Sequence, residues 1–322
     1  MLNQIENRLL GGGDLTEEEA LLLTRLKSME ILDLISVGNR VTRHFRGNRL
    51  EICSIINARS GNCSEDCVFC AQSSRHKTGA RVYPMASPGD VLKQARAMER
   101  SGAKKFSLVA SGRGISDRDL EKALLAFELI KRETGLELCA SFGIIDENKA
   151  MLLKEAGVTM YHHNLETAPS HFSRICSTHT YQDRVNTIKA AQKAGLRVCS
   201  GGIIGLGETP AQRVELAFEI KRLGVDSVPI NFLNPIGGTP LEGFAPPVPL
   251  ESLQTLAIFR LIAPRSVIRL CGGRKEGLSG LQALAFMAGA DGVMIGDYLT
   301  TRGEELNNDF KMFADLGLEI AT

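Results

Sequence analysis

The stretch RVCSGGIIGLGETPAQRVELAFEIKRLGVDSVPINF, residues 197–232, holds one complete strand–helix–strand unit. Arg197–Ile203 is a short apolar run of β type. Thr209-Pro210 reads as an N-cap followed by proline at the first helical position. Gly224 is a helix stop, and Ser227–Phe232 is the next apolar run. The same rhythm runs outward in both directions. Apolar runs fall at Glu51–Asn57, Lys105–Ala110, Leu136–Phe142, Thr159–Asn164, Val267–Cys271 and Gly292–Ile295. Ser87-Pro88 repeats the helix-start device, and Gly102, Gly135, Gly157, Gly195 and Gly289 stand where helices should end. Eight strand-like runs separated by helices over about 250 residues predict an α/β fold, a (β/α)8 TIM-type barrel. A six-strand partial barrel or a doubly wound sheet gives a similar alternation, but the count favours the full barrel. Residues 233–250, with five prolines, read as one long loop after the sixth strand.

Residues 1–45 form an N-terminal helical extension to a barrel spanning 46–322. Thr16-Glu17-Glu18-Glu19 is a capping box. Arg43, His44, Arg46 and Arg49 read as a solvated helix end. The 322 residues carry 38 Lys plus Arg against 37 Asp plus Glu, a net charge of +1. That balance argues against a general nucleic-acid or acidic-membrane surface. Aromatics at 5 % with no Trp argue against stacking platforms for single strands. The N-terminus MLNQIENRLLGGG lacks an apolar signal core, and Ser227–Leu241, the longest charge-free stretch, is too short to span a bilayer. A cytoplasmic location is expected, where eight cysteines need a reason other than disulfides.

Three of them stand in Gly61-Asn62-Cys63-Ser64-Glu65-Asp66-Cys67-Val68-Phe69-Cys70, just after the first run. Soft thiolates at this C-x3-C-x2-C spacing, separated by polar residues, suit zinc or an iron–sulfur cluster. Structural zinc needs a fourth, distant ligand. Three ligands on a four-iron cube leave one iron open.

The motif, with aromatic Phe69 before the last cysteine, resembles that of the radical S-adenosylmethionine (SAM) enzymes. The resemblance implies a 4Fe–4S cluster on Cys63, Cys67 and Cys70 whose open iron chelates SAM. One-electron reduction would then release a 5′-deoxyadenosyl radical. Asn62–Gly79, Tyr161–Thr167, Val198–Glu208 and Val228–Asn231 resemble the biotin synthase family more closely, in one colinear register from about residue 40 onward. The C-terminal part of the barrel corresponds to that family's biotin/thiamin-synthesis-associated region. The resemblance implies sulfur insertion into dethiobiotin, a reductant such as flavodoxin or ferredoxin, and a homodimer.

Cys139, Cys199 and Cys271 sit in the third, fifth and seventh runs. Alternate strands of a barrel feed the same interior layer, so the three can converge. In the better-known family pattern an auxiliary 2Fe–2S cluster is held by three cysteines and an arginine. Cys139, Cys199 and Arg269 match that pattern, but Ser107 stands where the third cysteine belongs, and Cys271 is gained two residues after Arg269. We expect a relocated four-iron auxiliary cluster on Cys139, Cys199 and Cys271, its open iron carrying an extra sulfide. The alternative is a 2Fe–2S cluster completed by Arg269 or Ser107. Cys53 reads as core, and Cys176 takes no role.

The resemblance also carries Phe69, Asn164, Glu166 and Arg184 over as SAM contacts. Asn164 and Glu166 lie two apart at the fourth strand's end, where an amide and a carboxylate suit ribose hydroxyls. The family residue at Glu166 is commonly Asp. Asn231, whose amide suits a ureido ring, and Asn164 are the expected dethiobiotin contacts. The family has Asn where His162 stands. His162 and His163 are adjacent on a strand and should face opposite sides, so one shared metal is not expected. Ser200-Gly201-Gly202 and Gly205-x-Gly207 lack a dinucleotide or P-loop order and read as backbone room beside a cofactor. No acid–base dyad or nucleophile is found; clusters and SAM carry the chemistry. The rivals are another barrel radical SAM enzyme, such as a hydrogenase-cofactor maturase or a methylornithine-type mutase, and a non-catalytic iron–sulfur carrier.

Overall fold

A computed structural model describes residues 1–321. The strands, in order, are β1 (Arg49–Arg59), β2 (Lys105–Ala110), β3 (Glu137–Ser141), β4 (Val158–His162), β5 (Arg197–Cys199), β6 (Gly202–Ile204), β7 (Ser227–Phe232), β8 (Val267–Leu270), β9 (Gly292–Met294) and β10 (Glu319–Ile320). All pairings between them are parallel, and β9 pairs back onto β1, so the sheet closes into a barrel. The two-residue β10 adds on at the start of β1. Helices follow the strands, as a parallel closed sheet requires. Ser87 and Thr209 cap their helices through side-chain oxygens, each with proline in the first turn.

The fifth run does not form one strand. β5 and β6 are two short pieces of a single stave, separated by Ser200 and Gly201. A Cβ at Gly201 would lie 1.9 Å from the Pro229 carbonyl oxygen. The chain of β7 presses into that gap. The Gly201 carbonyl meanwhile accepts from Leu165 N and Glu166 N, at 3.0 and 3.1 Å. Gly201 therefore gives room to the neighbouring backbone of β7.

Three helices, α1 (Leu2–Leu10), α2 (Glu17–Leu23) and α3 (Met29–Arg46), precede the barrel. The Thr16 capping box forms, with Glu19 N at 3.2 Å from Thr16 Oγ1. Ile5, Leu9, Leu34 and Val41 join the same hydrophobic cluster as the barrel's own Phe106 and Ile268. Arg46 departs from the expected solvated end. It reaches the base of the barrel and pairs with Asp291 Oδ2 at 2.6 Å and Glu51 Oε1 at 3.0 Å. Among the described residues, no helix is long and apolar enough to cross a membrane.

Candidate active site

The strand register fixes where each chemical group stands. Ser107 on β2 is level with Ile55 on β1 and Cys139 on β3. Cys199 ends β5 beside His162 of β4 and Ser227 of β7. Cys271, one residue past β8, donates its N–H to Ile230 O at 3.0 Å and so prolongs the ladder. Arg269 and Cys271, two residues apart, both face inward, as strand alternation requires. A cavity of about 410 Å³ rises from this level to the loops after the strands. It is lined by Cys139, Cys199 and Cys271 and also by Cys63, Cys67 and Cys70.

The loop after β1 is pinned by its own polar side chains. Gly61 and Asn62 turn it through left-handed backbone, φ +75° and +52°. Cys63 N donates to Gln72 O at 3.1 Å, and Ser74 N to Cys63 O at 2.8 Å. Gln72 Oε1 accepts from Asn57 Nδ2 and Gly61 N, while Ser73 Oγ donates to Glu65 O at 2.5 Å. Phe69 and Val68 pack against the small apolar cluster of Cys67, Phe172 and Leu233.

The floor is an ion-paired layer at the strands' N-terminal ends. Arg269, 3 % exposed, donates to Ser227 Oγ (3.4 Å), Glu51 O (3.0 Å) and Glu51 Oε2 (3.1 Å). Lys105 pairs with Glu51 at 2.7 Å and Glu137 at 3.3 Å. Burial alone would raise Glu51. The Lys105 hydrogen bond and the charges of Arg269, Lys105 and Arg46 outweigh it and hold Glu51 at about 2.

Cys53 was expected to be core, yet its thiol faces the same space from β1. Burial pushes the Cys139 thiol up to about 12 and Cys199 up to about 11, and Cys53 adds repulsion at both. Cys271 is driven far up for the same reasons. Thiolates buried this deeply call for a compensating cation. Among the described residues, neither cysteine triplet offers three sulfurs close enough for one ion. Cys67, Cys176 and His179 are the grouping spaced to hold one ion, their ligand atoms all within 4.8 Å of one another. Ser107 Oγ and His163 Nε2 are buried beside the cavity without partners, which fits a chamber shaped for added groups.

Arg184 is 7 % exposed and is no surface charge. It stands in the first turn of the helix Tyr181–Lys193, whose Thr180–Asp183 capping box fixes the turn. Its guanidinium donates to Asn164 O at 2.8 Å, Glu166 Oε1 at 3.4 Å and His179 Nε2 at 3.0 Å, and lies over the Phe172 ring. β4 stops at His162, so strand alternation does not bring Asn164 and Glu166 together. Glu166 takes left-handed backbone, φ +70°, and Asn164 Nδ2 reaches its Oε2 at 3.3 Å. Burial raises Glu166 and Arg184 opposes the rise. His162 and His163 both line the cavity as the chain leaves the strand, contrary to the expected alternation. Burial, with Arg269 and Arg184, holds His162 down to about 4, so it is neutral. Asn231 already donates to Gly202 O and accepts from Gly272 N, leaving one N–H and one lone pair. Cys176 and His179, to which sequence reasoning gave no role, lie against Cys67.

A barrel with a cysteine triplet at its mouth and buried polar groups around it defines the radical SAM class. Residues 58–220 match the Radical SAM superfamily, and residues 229–319 match the Biotin and Thiamin Synthesis associated domain. The chain is 54 % identical over 320 residues to a biotin synthase of Pelotomaculum thermopropionicum, covering 99 % of this chain and 100 % of the relative. A biotin synthase of Citrifermentans bemidjiense is 52 % identical, with 99 % and 97 % covered. The chain belongs to the biotin synthase family, whose members are radical SAM sulfurtransferases using a 4Fe–4S cluster and SAM. Methylornithine synthase superposes with a TM-score of 0.87 at 20 % identity, covering 99 % of this chain and 97 % of that one. The FeFe-hydrogenase maturase of Carboxydothermus hydrogenoformans gives 0.83 at 16 %, with 98 % and 78 % covered. Those two share the fold alone.

Proposed function

We propose that this chain converts dethiobiotin to biotin within the single cavity that both thiol sets face. That shared cavity is the observation that carries the assignment of residues. Cys63, Cys67 and Cys70 hold the 4Fe–4S cluster. Cys139, Cys199 and Cys271 hold a four-iron auxiliary cluster with an extra sulfide. When bound, these groups and SAM supply the 5′-deoxyadenosyl radical and the sulfur. The chain supplies position. Glu166 and Asn164 accept and donate to the ribose, Arg184 meets the methionine carboxylate, and Phe69 packs beside the cofactor. Asn231 offers its free N–H and lone pair to the ureido ring, with Asn164 as the second contact. Neutral His162 takes the place of the family Asn on the cavity wall. The buried walls keep water from the radical.

Arg269 is read as a neighbouring cation, since its guanidinium is held by Ser227 Oγ, Glu51 O and Glu51 Oε2. The unpartnered Ser107 Oγ, level with Cys139, supports one second reading, a 2Fe–2S cluster completed by Ser107. Residues 1–45 serve as an extension that buttresses the 46–322 barrel. A homodimer and a flavodoxin- or ferredoxin-type reductant are implied by the resemblance, and light scattering tests the first. Eight cysteines with no disulfide between them support a cytoplasmic location.

The test is an anaerobic reaction with SAM, a reductant and dethiobiotin, read by mass spectrometry. Biotin with 5′-deoxyadenosine is expected. Deoxyadenosine without biotin, from protein with a full auxiliary cluster, would overturn the substrate.

A further inference from the structure

We propose that the outer side of the Cys63–Cys70 loop is the docking surface for an acidic one-electron carrier protein. The proposal rests on the reading of that loop as the holder of the reducible 4Fe–4S cluster, and it names the face that the electron donor meets. The carrier gives up one electron and the cluster takes it.

Exposed arginines from three separate segments close on residues 64–68 of the loop. Arg75 Nε donates to Ser64 O at 3.0 Å. Arg113 Nη1 donates to Thr178 O at 2.9 Å, and Thr178 Oγ1 in turn reaches Glu65 Oε2 at 2.8 Å and Asp66 Oδ1 at 3.0 Å. Arg174 precedes Ile175, whose carbonyl accepts from Val68 N at 2.9 Å. Exposed Lys77 and Arg81 continue the row along the exit of the same loop. Among the described residues, none of these cations forms an ion pair; the pairs of this region, His179–Glu65 and Arg184–Glu166, are buried. The carboxylates nearest the row are fewer, and each is engaged by backbone: Asp66 by Ser177 N at 2.9 Å, Asp183 by Thr180 N at 2.8 Å and Glu242 by Gly238 N at 2.7 Å. A local excess of positive charge therefore stands on a chain whose net charge is only +1. Val82 and Tyr83, 59 % and 37 % exposed, supply an apolar centre beside Arg81. Val82 lies on Gly61, and Tyr83 N donates to Ser60 O at 3.1 Å, so both stand at the start of the loop. An apolar centre with a polar surround is the make-up of a protein interface. Unpaired cations around it select an acidic partner and speed its encounter. On the proposed reading substrate and SAM take the cavity side of the loop, which leaves the outer side for a protein.

The test mixes the cluster-loaded full chain anaerobically with an acidic flavodoxin in its hydroquinone form. Rapid-freeze EPR follows the signal that SAM perturbs, so that the mouth cluster alone is read. The double change Lys77→Glu with Arg174→Glu is expected to keep its iron. Its second-order reduction rate at low ionic strength should fall about tenfold or more. Added salt should slow the wild type and leave the double variant nearly unchanged. Methyl viologen radical, a small cation, should reduce the double variant at least as fast as the wild type. Lys189→Glu, an exposed change further along the helix Tyr181–Lys193, should stay within about twofold of the wild type. A double variant as fast as the wild type with flavodoxin overturns the proposal. So does an equal fall in Lys189→Glu, or an equal fall with methyl viologen. Should the double variant fail to load, Lys77→Gln with Arg174→Gln carries the same comparison, and iron loss there too would make these cations structural and equally overturn it. Cys67→Ala checks the underlying reading separately: if the SAM-perturbed signal persists, that reading fails and not the docking face.

Discussion

Replacing Cys271 with Ser should separate the two proposed clusters. Cys271 is 1 % exposed, and its backbone N–H is held by Ile230 O at 3.0 Å. Serine fits the same space and leaves that bond, so the barrel should survive. The thiolate that burial disfavours so strongly is lost. Two four-iron clusters amount to about eight irons per chain, and Cys271→Ser should retain about four. Iron and sulfide analysis with Mössbauer spectroscopy reads the count. In the anaerobic assay the variant should still cleave SAM while biotin formation falls below detection. Cys53→Ser is the comparison, because Cys53 faces the same chamber. An equal iron loss there would make it a fourth ligand and leave no open iron for the extra sulfide. A wild-type count near six irons, or a Cys271→Ser variant with its full complement, would refute the four-iron assignment.

Three further outcomes follow from buried charges. Arg184→Met should weaken SAM binding about 10- to 100-fold, the value of one or two charge-assisted hydrogen bonds; calorimetry on the cluster-loaded chain reads it, with iron content unchanged. Arg274 and Asp309 are both fully buried, and Arg274 Nη2 lies 2.5 Å from Asp309 Oδ2. Arg274→Met strands that carboxylate and should cost about 3–5 kcal/mol in denaturant unfolding. Glu51 is depressed on folding to about 2 from an ordinary 4.5. Its contribution is therefore present above the unfolded value and is lost as pH falls toward 2. Glu51→Gln should be less stable than the wild type near neutrality, with the gap closing over that acid range in pH-dependent unfolding.

Strand positions were legible because each stave is a short apolar run closed by a cap or a glycine. Lys105–Ala110 and Ser227–Phe232 match the expected bounds residue for residue. The break between β5 and β6 was not, since Ser200-Gly201-Gly202 differs little from a strand until Pro229 presses on it. The first cysteine triplet declares itself by spacing within eight residues. Cys53, Cys176 and His179 do not, because their partners are distant in sequence and only barrel closure joins them. Arg184 carries the pattern of an exposed helix residue. Its burial follows from the cap that aims the first helical turn at the cavity.

The ion-paired layer of Glu51, Lys105 and Arg269 closes the lower end of the barrel beneath the cavity. Cys139 and Cys271 share their cavity with Cys70 and Asn164, so if both proposed clusters are held there, the deeper one would have to be built before the mouth is filled. If the deep thiols hold the sulfur source proposed here, any replacement sulfur would reach it through the same cavity that product must leave. On that reading, repeated use would be paced by departure from the mouth.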